Sequence, residues 1–325
     1  MTHTGGVDIV YLWVNGSDPV WRKKRQLARH ELKSTQEQTA ATYGNVEGRF
    51  RDNDELRYSL RALERFFPEH GNVYIVTDGQ TPTWLRQHPK LRVVDHRALI
   101  PSERLPTFDS GNIETYIHRI PGLSERYFYL NDDMFFGAPV QLADWFWAEG
   151  FFACWSAEPQ VRKGPPSADA DALENACRMS VAWLDAHPQQ MSQPGYSHTY
   201  RTFAHSPRPM FKSIMQSLEE IAPDLFAQAR STTFRCWDHP PIVSDFVIRW
   251  ALANGRARVR DFSHVYVSSG AQCQESRMDK VLEQVGSLHF FCINDTLDDA
   301  PSDDPKLLQS RQALQSIFSQ QSRYD

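Results

Sequence analysis

The sequence predicts an α/β fold: a mainly parallel central sheet flanked by helices. Three observations carry this. Apolar runs at 7–14, 73–77, 91–94 and 127–130 have the length and composition of strands. Segments with helical apolar spacing separate them, the alternation that builds parallel, covered sheets. Three runs end in polar turn-formers: Asn15-Gly16, Asp78-Gly79 and Asn131-Asp132-Asp133. Ligands bind at the carboxyl ends of strands in such sheets, so these ends form a candidate binding rim.

Taken in order, the first run gives way to Asn15-Gly16-Ser17-Asp18-Pro19, a dense turn signal. Ser17 or Asp18 can cap a helix that starts at Pro19 and runs to about Lys33. Its Arg22-Lys23-Lys24-Arg25 cluster reads most simply as a solvated face; contact with a polyanion or acidic lipid is the other reading. Residues 34–48 are polar and read as a mobile loop, placed where a lid would lie. Leu56, Leu60, Leu63 and Phe67 recur at helical spacing behind Asp52 to Asp54, which can cap that helix. Arg57 and Arg61 share one of its faces, for salt bridges or for phosphate. A short helix over 113–120 carries Glu114 and leads into the run at 127–130. Segment 140–195 is less regular, with one amphipathic helix near 169–186. Helices are predicted at about 209–221, 241–253 and 306–318. The run His289-Phe290-Phe291-Cys292-Ile293-Asn294-Asp295 repeats the pattern of an apolar strand ending in Asn-Asp.

Composition narrows the function. The 325 residues are 41% hydrophobic with 9 Trp, enough for a substantial core. A net charge of −5 gives no basic field, which argues against nucleic acid as a partner. No apolar stretch approaches the ~18 residues of a transmembrane helix, and the N-terminus lacks a signal pattern. Five widely spaced Cys without a CxxC pair fit a reducing cytoplasm better than a disulfide framework.

The chemistry concentrates at Asn131-Asp132-Asp133. Two adjacent carboxylates at the edge of an apolar core need a cation, hydrogen bonds or water. Hard carboxylate oxygens suit Mg²⁺ or Mn²⁺ bridging to a phosphorylated ligand; a plain Asx turn is the alternative. His205 and Arg235, each taken alone, read as structural.

Four blocks together resemble the Stealth family. It comprises bacterial capsular-polysaccharide sugar-1-phosphate transferases and the catalytic subunit of the lysosomal-enzyme N-acetylglucosamine-1-phosphotransferase. The first block runs from Asp8 through Trp13-Val14-Asn15-Gly16-Ser17-Asp18-Pro19. The second runs from Arg49-Phe50-Arg51-Asp52 past Asp78-Gly79-Gln80 and Ile113-Glu114 to Asn131-Asp132-Asp133. The third holds Ala204-His205, Pro209-Met210 and Phe234-Arg235, and the fourth is Cys292-Ile293-Asn294-Asp295. Asn15 stands where many members have Asp, and residues 140–195 match weakly.

The resemblance implies a nucleotide-sugar-transferase-like fold with a helical insertion. It divides the chain into a nucleotide-sugar-binding core (1–140), a variable acceptor-side insertion (141–200) and a part completing the active site (201–325). It implies Glu114, Asp133, His205 and Arg235 as catalytic residues, with His205 as general base and Glu114 as an alternative base or an orienting group. Tyr11, Trp13, Asn15, Gly16, Asp18, Arg57, Arg61 and Asp78 would bind the nucleotide-sugar. Asp132, Asp133, Asn294 and Asp295 would hold Mg²⁺ or Mn²⁺. The implied reaction moves sugar-1-phosphate from a UDP-sugar to a hydroxyl of an oligosaccharide or polysaccharide, with UMP release. The alternatives are an ordinary metal-dependent glycosyltransferase releasing UDP and a silent carbohydrate-binding protein. The expected location is cytoplasmic; peripheral association with the inner membrane face and homo-oligomerisation are left open.

Overall fold

A computed structural model describes residues 6–32, 40–41, 44–193, 195–301 and 303–325. Its strands, in chain order, are β1 (Asp8–Leu12), β2 (Val73–Thr77), β3 (Leu91–Asp95), β4 (Arg126–Asn131), β5 (Met134–Phe136), β6 (Phe146–Trp147), β7 (Gly150–Ala153), β8 (Arg208–Phe211), β9 (Ala257–Val259), β10 (His264–Ser268) and β11 (Phe290–Asn294). The central sheet has the order β3-β2-β1-β4-β8. Its first four strands are parallel, and β8 adds antiparallel to β4. The carboxyl ends of β1, β2 and β4 therefore share one edge, as the three polar strand ends predict.

Burial explains why these runs are strands. Every residue of β1 and β2 is buried, as expected where helices cover both faces of a parallel sheet. Helix Glu55–Phe66 packs Leu56, Leu60 and Leu63 into that core. Phe128 of β4 sits in an aromatic cluster, with edge-on contacts to Phe67, Phe136, Trp145 and Phe146 at centroid distances of 6.2, 5.2, 5.3 and 5.2 Å.

Asp132 and Asp133 form the turn where the chain leaves this sheet. β4 ends at Asn131, and β5 pairs antiparallel with β11 in a second sheet of order β10-β11-β5. The Ile293 N–H donates to the Asp133 carbonyl at 3.0 Å, which fixes the turn against the end of β11. The two Asn-Asp strand ends are thus neighbours in space. A third sheet, β6-β7-β9, ties segment 141–200 to the C-terminal third of the chain. That segment holds strands as well as the helix Ala172–Ala186.

Three helix boundaries differ from the sequence expectation. The helix expected at 209–221 opens as β8 and becomes helical only over Lys212–Ile221. Pro209 is tolerated because β8 is an edge strand. The helix expected at 113–120 is split into Ser110–Glu114 and a 3₁₀ turn, Ile117–Arg119. The one expected at 241–253 is a π-helical turn, Ile242–Phe246, continuing as Val247–Ala253. The first helix spans Pro19–Glu31 and is capped by Asp18, whose Oδ1 accepts from the Trp21 N–H at 2.8 Å. Its cation cluster is not uniformly solvated. Arg22 and Lys23 face water, but Arg25 is buried over the Phe50 ring at 4.2 Å and bonds to Glu47. Most of the loop expected at 34–48, including 34–39 and 42–43, lies outside the described residues.

Candidate active site

A pocket opens at the shared carboxyl edge of β1, β2 and β4. Strand ends build one side: Leu12 at the end of β1 with Trp13 and Val14 after it, Val76 of β2 with Asp78 just beyond, and Asn131 at the end of β4 with Asp132 and Asp133 after it. The second sheet adds Asn294 and Asp295, and Arg49, Phe50, Arg51 and Arg235 close the other side. A small aromatic cluster sets that side. Trp21 meets Phe50 at 5.4 Å and Phe108 at 5.3 Å, and Phe108 stacks on Phe234 at 5.1 Å. Phe50 and Phe234 each anchor the adjoining Arg, so Arg49 and Arg235 are delivered to one wall. Two glycines permit the close packing. A Cβ on Gly16 would lie 2.3 Å from the Phe50 carbonyl oxygen, and one on Gly48 would lie 2.6 Å from that of Leu297.

The carboxylates crowd one another. Withdrawal from water raises the Asp132 pKa well above the usual range, and nearby Glu55, Asp133 and Asp52 raise it further. Burial pushes Asp52 up to about 6 and raises Glu55, which Asp52 also repels. Burial raises Asp133 too, against the opposing charge of Arg49. Asp133 Oδ2 accepts from the Cys292 thiol at 3.4 Å, whereas its Oδ1 is buried without a hydrogen-bond partner among the described residues. An orphaned carboxylate oxygen beside a second raised carboxylate fits a hard divalent cation. The fit is to Asp132 and Asp133. The Asp295 carboxylate is taken by Arg51, Asn53 and Ser269, and Asn294 lies on the wall beside it. Asp132, Asp133 and Asp295 do not bring three ligand atoms within 4.8 Å; among the described residues Cys236, Asp238 and His239 do so.

The cations complete the site. Arg235 bonds to the Ser110 hydroxyl and lies 3.6 Å from Asp109. The Ala41 N–H and Asn45 Nδ2 both donate to the Arg235 carbonyl, at 2.9 and 3.1 Å, which fixes its backbone. His205 is partly buried and stacks on Tyr266 at 5.0 Å. Desolvation, then the charges of Arg208, Arg49 and Arg235, push its pKa down to about 3, so the imidazole is neutral. Glu114 is buried, and its Oε1 lies 2.7 Å from the Tyr129 hydroxyl. His205 and Glu114 are not among the residues that line this pocket, though His205 is close enough to Arg49 and Arg235 to feel their charges.

The structure divides the residues expected to bind a nucleotide-sugar. Trp13 and Asp78 line the pocket, Asp78 with Lys24 Nζ at 2.7 Å. The others do not. Tyr11 is fully buried, because its side chain points into the core toward Ser59, whose Oγ lies 3.0 Å from the phenol. Asn15 is a turn residue, its N–H and carbonyl both bonded to the Gln80 amide at 3.0 Å. Gly16 serves the approach of Phe50, and Asp18 is a helix cap. Arg57 lies over the Trp84 ring at 4.8 Å, and Arg61 binds Asp325 and the Phe318 carbonyl, away from the pocket. Sequence reasoning missed Arg49, Arg51, Glu55 and His96 as pocket residues. Its available signal was the pair Arg49-Phe50 and Phe234-Arg235, in which an aromatic anchor adjoins each guanidinium.

Fold and site together define an α/β protein whose parallel strand ends carry a pocket of mixed carboxylates and guanidiniums. Two stretches of the chain match conserved regions of the Stealth family: residues 6–33 match Stealth protein CR1, conserved region 1, and residues 49–153 match Stealth protein CR2, conserved region 2. Similar curated proteins include the exopolysaccharide phosphotransferases SCO6023 and SCO2592 of Streptomyces coelicolor. They are 35% and 33% identical over 90% of this chain, and the match covers 48% and 30% of their own lengths. Exopolysaccharide phosphotransferase CpsY of Mycobacterium tuberculosis is 31% identical over 89% of this chain and 52% of its own. The chain thus spans about half or less of these relatives. Among solved structures it is similar to the galactosyltransferase LgtC, with a TM-score of 0.43 and 7% identity over 97% of this chain and 96% of that one. No helix among the described residues is long and apolar enough to cross a membrane.

Proposed function

We propose that the protein transfers sugar-1-phosphate, of the hexose or N-acetylhexosamine type, from a UDP-sugar to a hydroxyl of an oligosaccharide or polysaccharide. UMP leaves. One observation carries the reading: Arg49 and Arg235 line the same pocket at parallel strand ends as Asp132 and Asp133. Phosphoryl transfer demands this mixture, cations to neutralise phosphate oxygens and carboxylates to hold a divalent ion. The names of the curated relatives support it.

In this reading Leu12, Val14, Val76, His96 and Asp78 receive the nucleobase and ribose. His96 is buried, and its Nδ1 has no hydrogen-bond partner among the described residues, so a polar base edge would satisfy it. Asp132 and Asp133 hold Mg²⁺ or Mn²⁺, which when bound neutralises charge on the diphosphate. Arg49 and Arg235 bind the phosphate oxygens, and the planar Arg235 fork holds the phosphorus nearer the sugar in line with the attacking hydroxyl. The neutral His205 imidazole accepts the proton of that hydroxyl as its oxygen attacks.

The test is the nucleotide released when the chain is incubated with Mg²⁺, a panel of UDP-sugars and oligosaccharide primers. UMP together with a new phosphodiester supports the proposal. UDP in its place overturns it and identifies an ordinary glycosyltransferase.

A further inference from the structure

The Tyr129 hydroxyl poses an accounting problem. It lies 2.7 Å from Glu114 Oε1 and 2.7 Å from Asn131 Oδ1. A phenol has one proton to donate. If both neighbours were acceptors only, one would stay unsatisfied beside two buried side chains, Tyr129 and Glu114. A proton on Glu114 resolves it: the carboxylic acid donates to the phenol oxygen, and the phenol donates to Asn131. We infer that Glu114 is held as the neutral acid and that Tyr129, acting between Glu114 and Asn131, is a positioning residue that aims the Asn131 NH₂ group into the pocket.

The surroundings agree. Arg208 and Arg235 are the cations nearest in charge to Glu114, and Asp109 is the nearest like charge. Arg208 is directed to the Ser244 carbonyl at 3.0 Å, and Arg235 to Ser110 and Asp109. Among the described residues neither forms an ion pair with Glu114, and burial outweighs the pull of both charges and of the Tyr129 hydroxyl to raise its pKa. Asn131 lines the pocket next to Asp132. With Oδ1 accepting from Tyr129, Nδ2 points away from it and offers a donor to an anionic ligand. The flipped amide would present an oxygen to that anion and meet repulsion. The role of the chain Glu114–Tyr129–Asn131 rests on the reading of the pocket as a diphosphate site. It also removes Glu114 from candidacy as the base, because a neutral acid takes no proton.

Infrared difference spectroscopy on the full chain tests the protonation state. Protein carrying ¹³C-glutamate is compared with its Glu114→Gln variant at neutral pH. Loss of a protonated-carboxyl carbonyl stretch supports the inference; loss of a carboxylate pair of bands overturns it. Titration calorimetry with UDP and with uridine tests the aim of Asn131. Tyr129→Phe and Asn131→Ala should each weaken UDP about tenfold, the loss expected of one charge-assisted hydrogen bond. The double variant should be no weaker than Asn131→Ala, and uridine affinity should be unchanged. Equal weakening of uridine and UDP would mark a merely structural role and overturn the positioning claim. A chain that binds no UDP at all would refute the diphosphate reading, and with it the aim of Asn131, while the infrared result would still decide the state of Glu114.

Discussion

His205 gives the sharpest kinetic test, because its pKa should rise when a diphosphate enters the pocket. In the structure its pKa is pushed from 6.5 to about 3 by desolvation and by Arg208, Arg49 and Arg235. Protonating it there costs about 5 kcal/mol more than in water. A bound diphosphate cancels the guanidinium part of that cost and leaves the desolvation part. The pKa in the complex should therefore rise but stay below its ordinary value. A general base must be unprotonated, so its rate falls as pH drops through that pKa. The profile of kcat, which reports the complex, should bend down at a pH below the ordinary histidine value of about 6.5, while kcat/KM, which reports the free protein, should not show this bend until lower pH still. His205→Gln should lower kcat by about 10²–10⁴-fold and abolish the bend. Coincident bends near pH ~6.5 in both profiles, or a bend that survives His205→Gln, would refute the assignment.

Four further outcomes are expected. Arg235→Lys should lower kcat about 10–100-fold at an unchanged thermal midpoint, since the fork is lost and the charge kept; an unchanged kcat would remove Arg235 from the site. Mg²⁺ should raise the melting temperature of the chain, reversibly with EDTA, and Asp133→Asn should abolish that rise in calorimetry. Arg61→Ala should leave the KM for UDP-sugar unchanged but destabilise the chain by about 2–4 kcal/mol in urea, because the buried Asp325 would lose its short ion pair and keep, among the described residues, only Ser322 and Arg57, the latter at 4.0 Å. His70 is fully buried with a pKa lowered to about 4, chiefly by desolvation, so the unfolded chain takes up its proton first. Its contribution is intact above pH 6.5 and is lost as pH falls toward about 4, about 3 kcal/mol in all. His70→Gln should flatten the acid limb of a stability–pH curve over that range.

The sheet was legible because a covered parallel strand is a short, uniformly apolar run, and 73–77 coincides with β2. The rim was legible because parallel strands must end on the same edge. What failed depended on partners distant in sequence. Arg57 and Arg61 lie one helical turn apart, as expected, but the side chain that claims Arg61 is Asp325, 264 positions later. Tyr11 was read as a pocket aromatic, yet strand alternation alone does not say which face of β1 meets Ser59. Arg49 and Arg51 were visible in a matched block but passed over, because nothing local shows that Phe50 and Phe234 belong to one cluster. The helix expected at 209–221 failed at its start because pairing with β4 overrode local propensity.

The Asp132-Asp133 turn explains why the site draws on the whole chain. It is the one place where β4 of the central sheet hands over to β5 of the second, so it must face the end of β11. The two carboxylates are exposed to each other because they occupy this seam, where neither sheet can bury them among apolar side chains. Within the sheets, among the described residues, only the Cys292 thiol bonds the Asp133 carboxylate; the opposing charge comes from outside them. Arg49 arrives on the turn Glu47–Arg49, which the Gly48 N–H pins to the Leu297 carbonyl at 3.0 Å. Arg235 arrives beside Phe234. A fragment ending near residue 140 would keep the parallel strands but lack Arg235, His205 and the end of β11. It would present Asp132 and Asp133 without the cations that make the pair useful. A boundary drawn at 140 or 200 thus crosses the site, and the carboxylates and guanidiniums can be understood only together.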